Sequence, residues 1–331
     1  RECFYNDLTK EHISNDDYEF VHKLWNTFGL QTLGDLHNLY METDTLLLSD
    51  VFENFRDFSQ EHYGLDPAHF FTAPGLSWSA ALKHTKVKLQ LPRDSDMYLF
   101  FDRGLTGGIS MVTYPYARAN NPGMKSHYDP KTGQSYILFT DCNNQYGWAM
   151  SQYLPTHGFR WVKNIKQKQA AVKHKNSSME HMEVWKQKIL ALEDEDDTGY
   201  FYEVDLEYPA ELHDKHDSFP LAPEHLTIEK DMLSSYQNEL ADDLGVKTGG
   251  KKLCLTLNEK KNHICHYRNL KLYLSMGLKL KKIHRILEFK QSPWLKSYID
   301  LNTKLRQSSD NKFEEGFAKL MNNSFFGKVC I

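Results

Sequence analysis

From Asp16 to about Phe58, apolar and polar positions recur at steps of three and four, with Tyr40, Asp44, Leu47, Val51, Phe55 and Phe58 on one stripe. That spacing predicts a helical stretch, because residues three and four apart share a helix face. Ala73-Pro74-Gly75 predicts a turn, followed by a short helix carrying Trp78 and Leu82. Three glycines within Gly104-Leu105-Thr106-Gly107-Gly108 predict a loop that something approaches closely, leading into a strand at Ile109-Ser110-Met111-Val112. The apolar run Tyr136-Ile137-Leu138-Phe139-Thr140-Asp141 predicts a buried strand with a carboxylate at its end, and Glu203 to Glu207 predicts another.

Between these strands, residues 163–197 change character. Lys163, Lys166, Lys168, Lys173 and Lys175 give way to the acidic run Glu193-Asp194-Glu195-Asp196-Asp197, which predicts a solvated helical excursion. A loop punctuated by Pro209, Pro220 and Pro223 comes next, and the last third turns helical again. Leu270, Leu274 and Leu278 lead into the basic stretch Lys279 to Arg285, which predicts a solvated helix face or a contact to phosphates. The final helix is expected to start near Asn311, paired with Glu314 in a capping-box-like arrangement. Its stripe is Phe313, Phe317, Leu320 and Ser324, and Gly327 is the expected stop.

Composition bounds this picture. The 331 residues, 40% hydrophobic and 13% aromatic, suit a folded chain of two or three domains. No apolar stretch of about 18 residues occurs, so no membrane span is expected. The formal charge of −4 offers no global basic field, and any nucleic-acid contact must come from local patches. The chain opens on Arg1 with no signal-like segment, as a cut through something larger would. Five cysteines without a CxxC pair fit a reduced, intracellular protein. Cys254, His263, Cys265 and His266 fall close in sequence, but their spacing is wrong for a zinc knuckle and would alternate across a strand.

Three constellations could carry chemistry. A carboxylate at the tip of an apolar strand, Asp141, calls for a cation, and a divalent metal held there could bridge phosphates. Tyr146, beyond the Cys142-Asn143-Asn144-Gln145 turn, could stack on a nucleotide sugar. On these residues alone, an Asp that merely caps the following turn is the commoner case. Lys319, Asn323 and Phe326 share a helix face, offering an ammonium that can clamp a triphosphate, an amide and a ring. An ordinary amphipathic helix with a Gly cap fits the same residues. Tyr40 and Asp44, four apart, could hold a metal and orient an attacking water, although such pairs are frequent by chance.

Taken in order, these motifs resemble family B DNA polymerases. Tyr40-x-x-x-Asp44 resembles the third motif of the 3′–5′ exonuclease, and Gly104 to Gly108 the loop joining exonuclease and polymerase domains. Asp141-Cys-Asn-Asn-Gln-Tyr146 resembles the first palm motif, and Lys319 to Gly327 the fingers motif K-x-x-x-N-S-x-Y-G. Asp141 to Pro155, Ala73 to Trp78 and Met321 to Gly327 resemble the protein-primed branch, as found in polinton-type mobile elements and related viruses.

The resemblance implies an α/β (α+β) fold with four parts. Residues 1–100 would be C-terminal helices of a ribonuclease H-like exonuclease domain, and 101–160 the start of a partial antiparallel palm sheet. Residues 161–269 would form an insertion suited to binding a terminal protein, and 270–331 helical fingers. It further implies that Asp141 and Asp44 hold Mg²⁺, and that Tyr146 packs under the incoming sugar. Lys319, Asn323, Ser324, Phe326 and Gly327 would surround the nucleotide, with Gly107 and Gly108 on the template path. The implied partners are a DNA template-primer, deoxynucleoside triphosphates and a terminal priming protein, with no membrane and an intracellular, nuclear location.

Departures are visible. Gly147 stands where the palm motif usually has Pro, Asn144-Gln145 where it has Ser-Leu, and Phe326 replaces the commoner Tyr. The third palm motif, Asp-Thr-Asp, would follow the fingers helix, and the chain stops at Ile331; a polymerase fragment inactive by itself is therefore expected. The alternatives are a non-catalytic DNA- or nucleotide-binding remnant of a mobile element, and a zinc module on Cys254 to His266.

Overall fold

The computed structural model of the protein describes residues 2–114, 116–163, 177–247 and 249–329. Lys166, Lys168, Lys173 and Lys175 of the expected excursion lie outside them. The fold is mixed, with helices around an antiparallel sheet, and divides into two compact units. One holds the residues up to His84 together with the last helix from Ser324, and the other holds Thr85–Asn323. No described helix is long and apolar enough to cross a membrane.

In the first unit, the helical pattern from Asp16 to Phe58 is broken into α1 (Asn15–Phe28) and α2 (Leu33–Tyr63). The cause is local. Gly29 caps α1 in the left-handed conformation at φ 63°, and Thr32 with Asp35 forms a capping box that restarts the helix. Ala73-Pro74-Gly75 is likewise the first turn of α3 (Ala73–Thr85) rather than a separate turn. Pro lacks the N–H that a first helical turn leaves unpaired, and Thr72 Oγ1 accepts the Gly75 N–H at 3.3 Å. Arg56 ties α2 to the following corner through Asp66 at 2.7 Å, while Glu53 of the same helix meets it at 3.0 Å, and its hydrogen bonds hold the Asp66 carboxyl down to about 2.

The second unit comprises α4 (Ser95–Gly104), α5 (Gln145–Met150), β1 (Leu154–Trp161), α6 (Ser177–Leu190) and β2 (Thr198–Glu207). After these come β3 (Glu224–Thr227), α7 (Ser235–Asp243), β4 (Lys251–Cys254), β5 (Lys260–His266) and α8 (Tyr267–Ser275). The series closes with β6 (Lys279–Ser292), α9 (Lys296–Ser308) and α10 (Lys312–Val329), of which the part up to Asn323 belongs to this unit. Strands β1-β6-β2-β5 form one antiparallel sheet, and β3-β4 a separate two-stranded hairpin with α7 in the connection between them. One sheet face packs Val204, Leu206, Ile283 and Ile286 with Ile189 of α6 and Leu270 and Leu274 of α8. The opposite face packs Phe159, Ile264, Leu287 and Phe289 with Met97 and Phe100 of α4.

The basic stretch Lys279 to Arg285 is a correction to the sequence reading, because it is a strand and not a helix. Gly277 makes the turn at φ 106°, where an added Cβ would meet Leu212 Cδ1 at 2.9 Å. Its charges are taken up across the strand pair. Lys281 meets Glu207 at 2.7 Å, His284 meets Asp205 at 2.8 Å, and Arg285 Nε meets Glu203 at 2.5 Å. The Arg285 guanidinium also lies 4.9 Å from the Phe100 ring, 5.0 Å from Trp161 and 3.0 Å from Asp96.

Three further expectations differ from the structure. Tyr136–Asp141 is not a buried strand: only the preceding Ser135 bridges to Asn120, and Phe139 is 99% exposed. Ile109–Val112 forms no strand either. A strand is held by its neighbours' hydrogen bonds, which an apolar run cannot supply for itself. Helix α10 begins as expected, with Asn311 Oδ1 accepting the Glu314 N–H at 2.9 Å, but it runs through Gly327 to Val329. Its buried stripe is Phe317, Ala318, Met321, Asn322, Ser324 and Phe325, while Phe313 and Leu320 are largely exposed. The helix is rotated by about one residue from the predicted stripe.

Candidate functional site

The segment Asp141 to Tyr146 reaches its position through an unusual turn. Asn144 sits in the left-handed region at φ 54°, a conformation Asn tolerates, and starts α5. Its side chain folds onto Gly147 and would have to swing aside to admit a Cβ there. Tyr146, in the first turn of α5, is 53% exposed.

Helix α5 packs beside α9, and α9 is joined to α10 by a buried hydrogen bond from Asn302 Nδ2 to Asn322 Oδ1 at 2.8 Å. Burying Asn322, Met321 and Ala318 on one side of α10 leaves Lys319 and Asn323 exposed on another, four residues apart. The result is a cavity of about 770 Å³ lined by Asp141 through Tyr146, Thr303, Arg306, Gln307, Glu315, Lys319, Asn322 and Asn323. Of the predicted residues, Asp141, Tyr146, Lys319 and Asn323 thus share one space. Ser324, Phe326 and Gly327 belong to the last turns of α10, in the first unit; Ser324 is buried and Phe326 is 40% exposed.

The cavity's charges are unequal in their engagement. Arg306 Nη2 lies 3.4 Å from Glu315 Oε1, so each offsets the other. Asp141 and Lys319 form no ion pair with any described residue, which leaves one carboxylate and one ammonium available to a ligand. A divalent cation needs more oxygen donors than Asp141 alone supplies. Among the described residues no group of three His, Cys, Asp or Glu could hold a metal, so the donors present do not fit a protein-held two-metal centre.

The remaining predicted residues stand elsewhere. Tyr40 and Asp44 are exposed on α2, one turn apart, within a stretch where every residue from Met41 to Asn54 is exposed. Gly107 and Gly108 follow α4 in an irregular segment; neither has a positive φ, and an added Cβ would meet nothing within 4 Å. This chain's own packing therefore does not require glycine at either position. In the Cys254–His266 group, Cys265 faces the core with Val204 and Leu270, while His266 packs at 6.0 Å against the Phe289 ring on the other sheet face. Burial pushes the Cys265 thiol up to about 12 and both His263 and His266 down to about 4.

Sequence reasoning missed Thr303, Arg306, Gln307 and Glu315. Their role arises only from the packing of α9 against α5 and α10. The one sequence signal was the adjacent pair Asn322-Asn323, in which one amide turns inward to Asn302 and the other outward.

Two solved structures are similar to this chain. An orthorhombic crystal form of Phi29 DNA polymerase matches at TM-score 0.42 and 15% identity, covering 82% of this chain and 38% of that one. Phi29 DNA polymerase complexed with primer-template DNA and incoming nucleotide substrates matches at TM-score 0.40 and 15% identity, covering 81% and 37%. The chain therefore spans less than two-fifths of the length of these polymerases. No curated protein matches it. Residues 24–330 match the family described as DNA polymerase type B, organellar and viral, and with nearly its whole length so covered the chain belongs to that family.

Proposed function

We propose that this chain is part of a DNA-directed DNA polymerase whose incoming deoxynucleotide enters the cavity between α5, α9 and α10. The observation that carries this reading is the convergence of Asp141, Tyr146, Lys319 and Asn323, distant in sequence, on one cavity. Lys319 contributes a compact charge for the triphosphate, and Asn323, one turn along, adds an amide donor. The Tyr146 ring supplies a flat wall under the sugar, disfavouring a 2′-hydroxyl. The reaction is attack of a primer 3′-hydroxyl on the α-phosphate with loss of pyrophosphate. Mg²⁺ bound with the nucleotide would neutralise charge there, and Asp141 is the residue that would hold it.

By itself the chain is proposed not to extend a primer, because Asp141 is the cavity's single carboxylate outside an ion pair among the described residues. The same observation favours a second reading, a nucleotide- or DNA-binding remnant without catalysis. Primer extension with Mg²⁺ bears on both, and robust extension would remove each claim of inactivity.

Titration with a fluorescent deoxynucleoside triphosphate tests the site. Lys319→Ala is expected to weaken binding by about tenfold, the size of one lost charge-assisted contact. Unchanged binding by a folded variant would sink the assignment.

Finer parts of the reading rest on the resemblance. Tyr40 and Asp44 are proposed to serve the 3′–5′ exonuclease, which their exposure on α2 supports. Gly107 and Gly108 are proposed to line the template path, which the open space around them supports. Ser324, Phe326 and Gly327 are proposed to act near the nascent base pair. Protein priming is proposed with a terminal protein docking within 161–269, where the β3–β4 hairpin stands apart from the main sheet.

A further inference from the structure

We infer that the cleft between the end of α4, the β3–β4 hairpin and β5 is a second site, one that holds the phosphodiester backbone of a DNA strand through Arg103, Lys251 and Lys261. The choice of DNA as ligand rests on the polymerase reading; the site itself rests on the following geometry.

The cleft has a volume of about 390 Å³ and shares no residue with the nucleotide cavity. Taking about 30 Å³ for each water, it has room for a hydrated phosphodiester. One wall is built around a buried cation. Lys260 is 1% exposed, and its ammonium meets Glu224 Oε1 at 2.6 Å, Thr256 Oγ1 at 2.6 Å and Thr256 O at 3.0 Å. With all three protons engaged, Lys260 is a positioning residue that locks the β3–β4 hairpin to β5. In that hairpin Lys251 pairs with Thr227, two residues along β3 from His225, so Lys251 and His225 share a hairpin face and both line the cleft. Lys261 follows Lys260, and Arg103 comes from the last turn of α4, whose end is held by close packing of Gly104 on Ile264.

The charge balance favours an anion. The Lys260–Glu224 pair cancels, and burial beside Lys260 keeps His263 neutral. What remains is Arg103, Lys251 and Lys261 against a single carboxylate, Asp102, all exposed. None of the three cations forms an ion pair with a described residue. A chain of net charge −4 has thus gathered a local positive excess in a concave place, where a low-dielectric wall concentrates the field. Spread over three elements, such an arrangement suits a strand of successive phosphates better than one small anion.

The test measures fluorescence anisotropy of a labelled primer-template DNA at salt concentrations from about 50 to 200 mM. A triple variant carrying Arg103→Gln, Lys251→Gln and Lys261→Gln is expected to bind about tenfold or more weakly at low salt, with the log–log salt slope reduced by about 2 to 3. A control triple of the same charge change, Lys88→Gln with Arg93→Gln and Lys131→Gln, is expected to move both quantities far less. Asp102→Asn is expected to tighten binding, a gain that misfolding cannot mimic. Equal effects of the two triples would overturn the site while leaving the polymerase reading intact. Failure of the unaltered chain to bind DNA at low salt would overturn both. If the cleft triple lost binding to poly-glutamate as steeply as to DNA, the ligand would be an acidic protein surface and the inference would fall.

Discussion

Replacing Asn322 by leucine probes how the nucleotide cavity is held, since it deletes a buried hydrogen bond while keeping a side chain branched at the same carbon. Asn302 Nδ2 donates to Asn322 Oδ1 at 2.8 Å, with Asn302 0% exposed and Asn322 5% exposed. Removing the acceptor leaves the Asn302 amide buried without that partner, which costs about 1–3 kcal/mol. Leucine's methyl groups are bulkier than the amide and add strain at this buried position, so a loss of about 2 kcal/mol or more is expected. At a typical urea dependence of about 1–3 kcal/mol per molar, the unfolding midpoint falls by about 1 M. Replacing both Asn302 and Asn322 by leucine is expected to cost less than the sum of the two single replacements, because the bond they share is lost only once. Affinity for a deoxynucleoside triphosphate should follow the same order, because Asn322 directly precedes Asn323 and lies one turn from Lys319. A single variant costing under about 0.5 kcal/mol, or a double equal to the sum of its singles, would refute the reasoning.

Other outcomes follow from the same structure. Arg285→Met should cost about 3–5 kcal/mol in urea unfolding, since Glu203, only 6% exposed, loses its partner; a Glu203→Gln companion that restores most of the loss would identify the stranded charge as the cause. Burial holds His263 and His266 down to about 4 against an ordinary 6.5, so the unfolded chain binds protons first as pH falls. Their contribution is complete above about pH 6.5 and is lost toward pH 4, by about 3 kcal/mol each, and His263→Gln with His266→Gln should flatten the melting temperature across that window. Gly147→Ala should change stability by less than about 1 kcal/mol, because only the end of the Asn144 side chain must swing aside and alanine favours the helix, and a larger loss would show that the turn is rigid.

The fold and site were legible in unequal parts. Asn311 and Glu314 marked the start of α10 because a cap is written in adjacent residues, and Glu203 to Glu207 read correctly as a strand. The Lys279–Arg285 stretch misled because Leu270, Leu274 and Leu278 set a period of four, which its lysines seemed to continue as a solvated face. Its true partners, Glu203, Asp205 and Glu207, alternate along a strand more than seventy positions earlier, and only the register of β2 against β6 brings them together. Tyr136–Phe139 carried a strong strand signal, yet pairing belongs to two segments at once and one apolar run cannot announce it. The Asp141 and Lys319 motifs were readable as motifs; Arg306 and Glu315 were not, since helix packing alone sets them beside the cavity.

The long central strand β6 also governs the order in which the protein can be made. Among the described residues, strand β1 pairs within the sheet with β6 alone, and Leu154 meets Ser292. At about 5–20 residues per second, synthesis of the intervening chain takes roughly ten seconds. During that interval Phe159 and Trp161 have emerged without the strand that will cover them. Strands β2 and β5 pair with each other, and α4, α6 and α8 can gather around them first. β6, made last of these strands, has its place between β2 and β1, with Arg285 on the Phe100 and Trp161 rings. With the other tryptophans replaced, Trp161 would serve as a fluorescent timer for closure of the sheet, and α9 and α10, which wall the cavity, are made after β6.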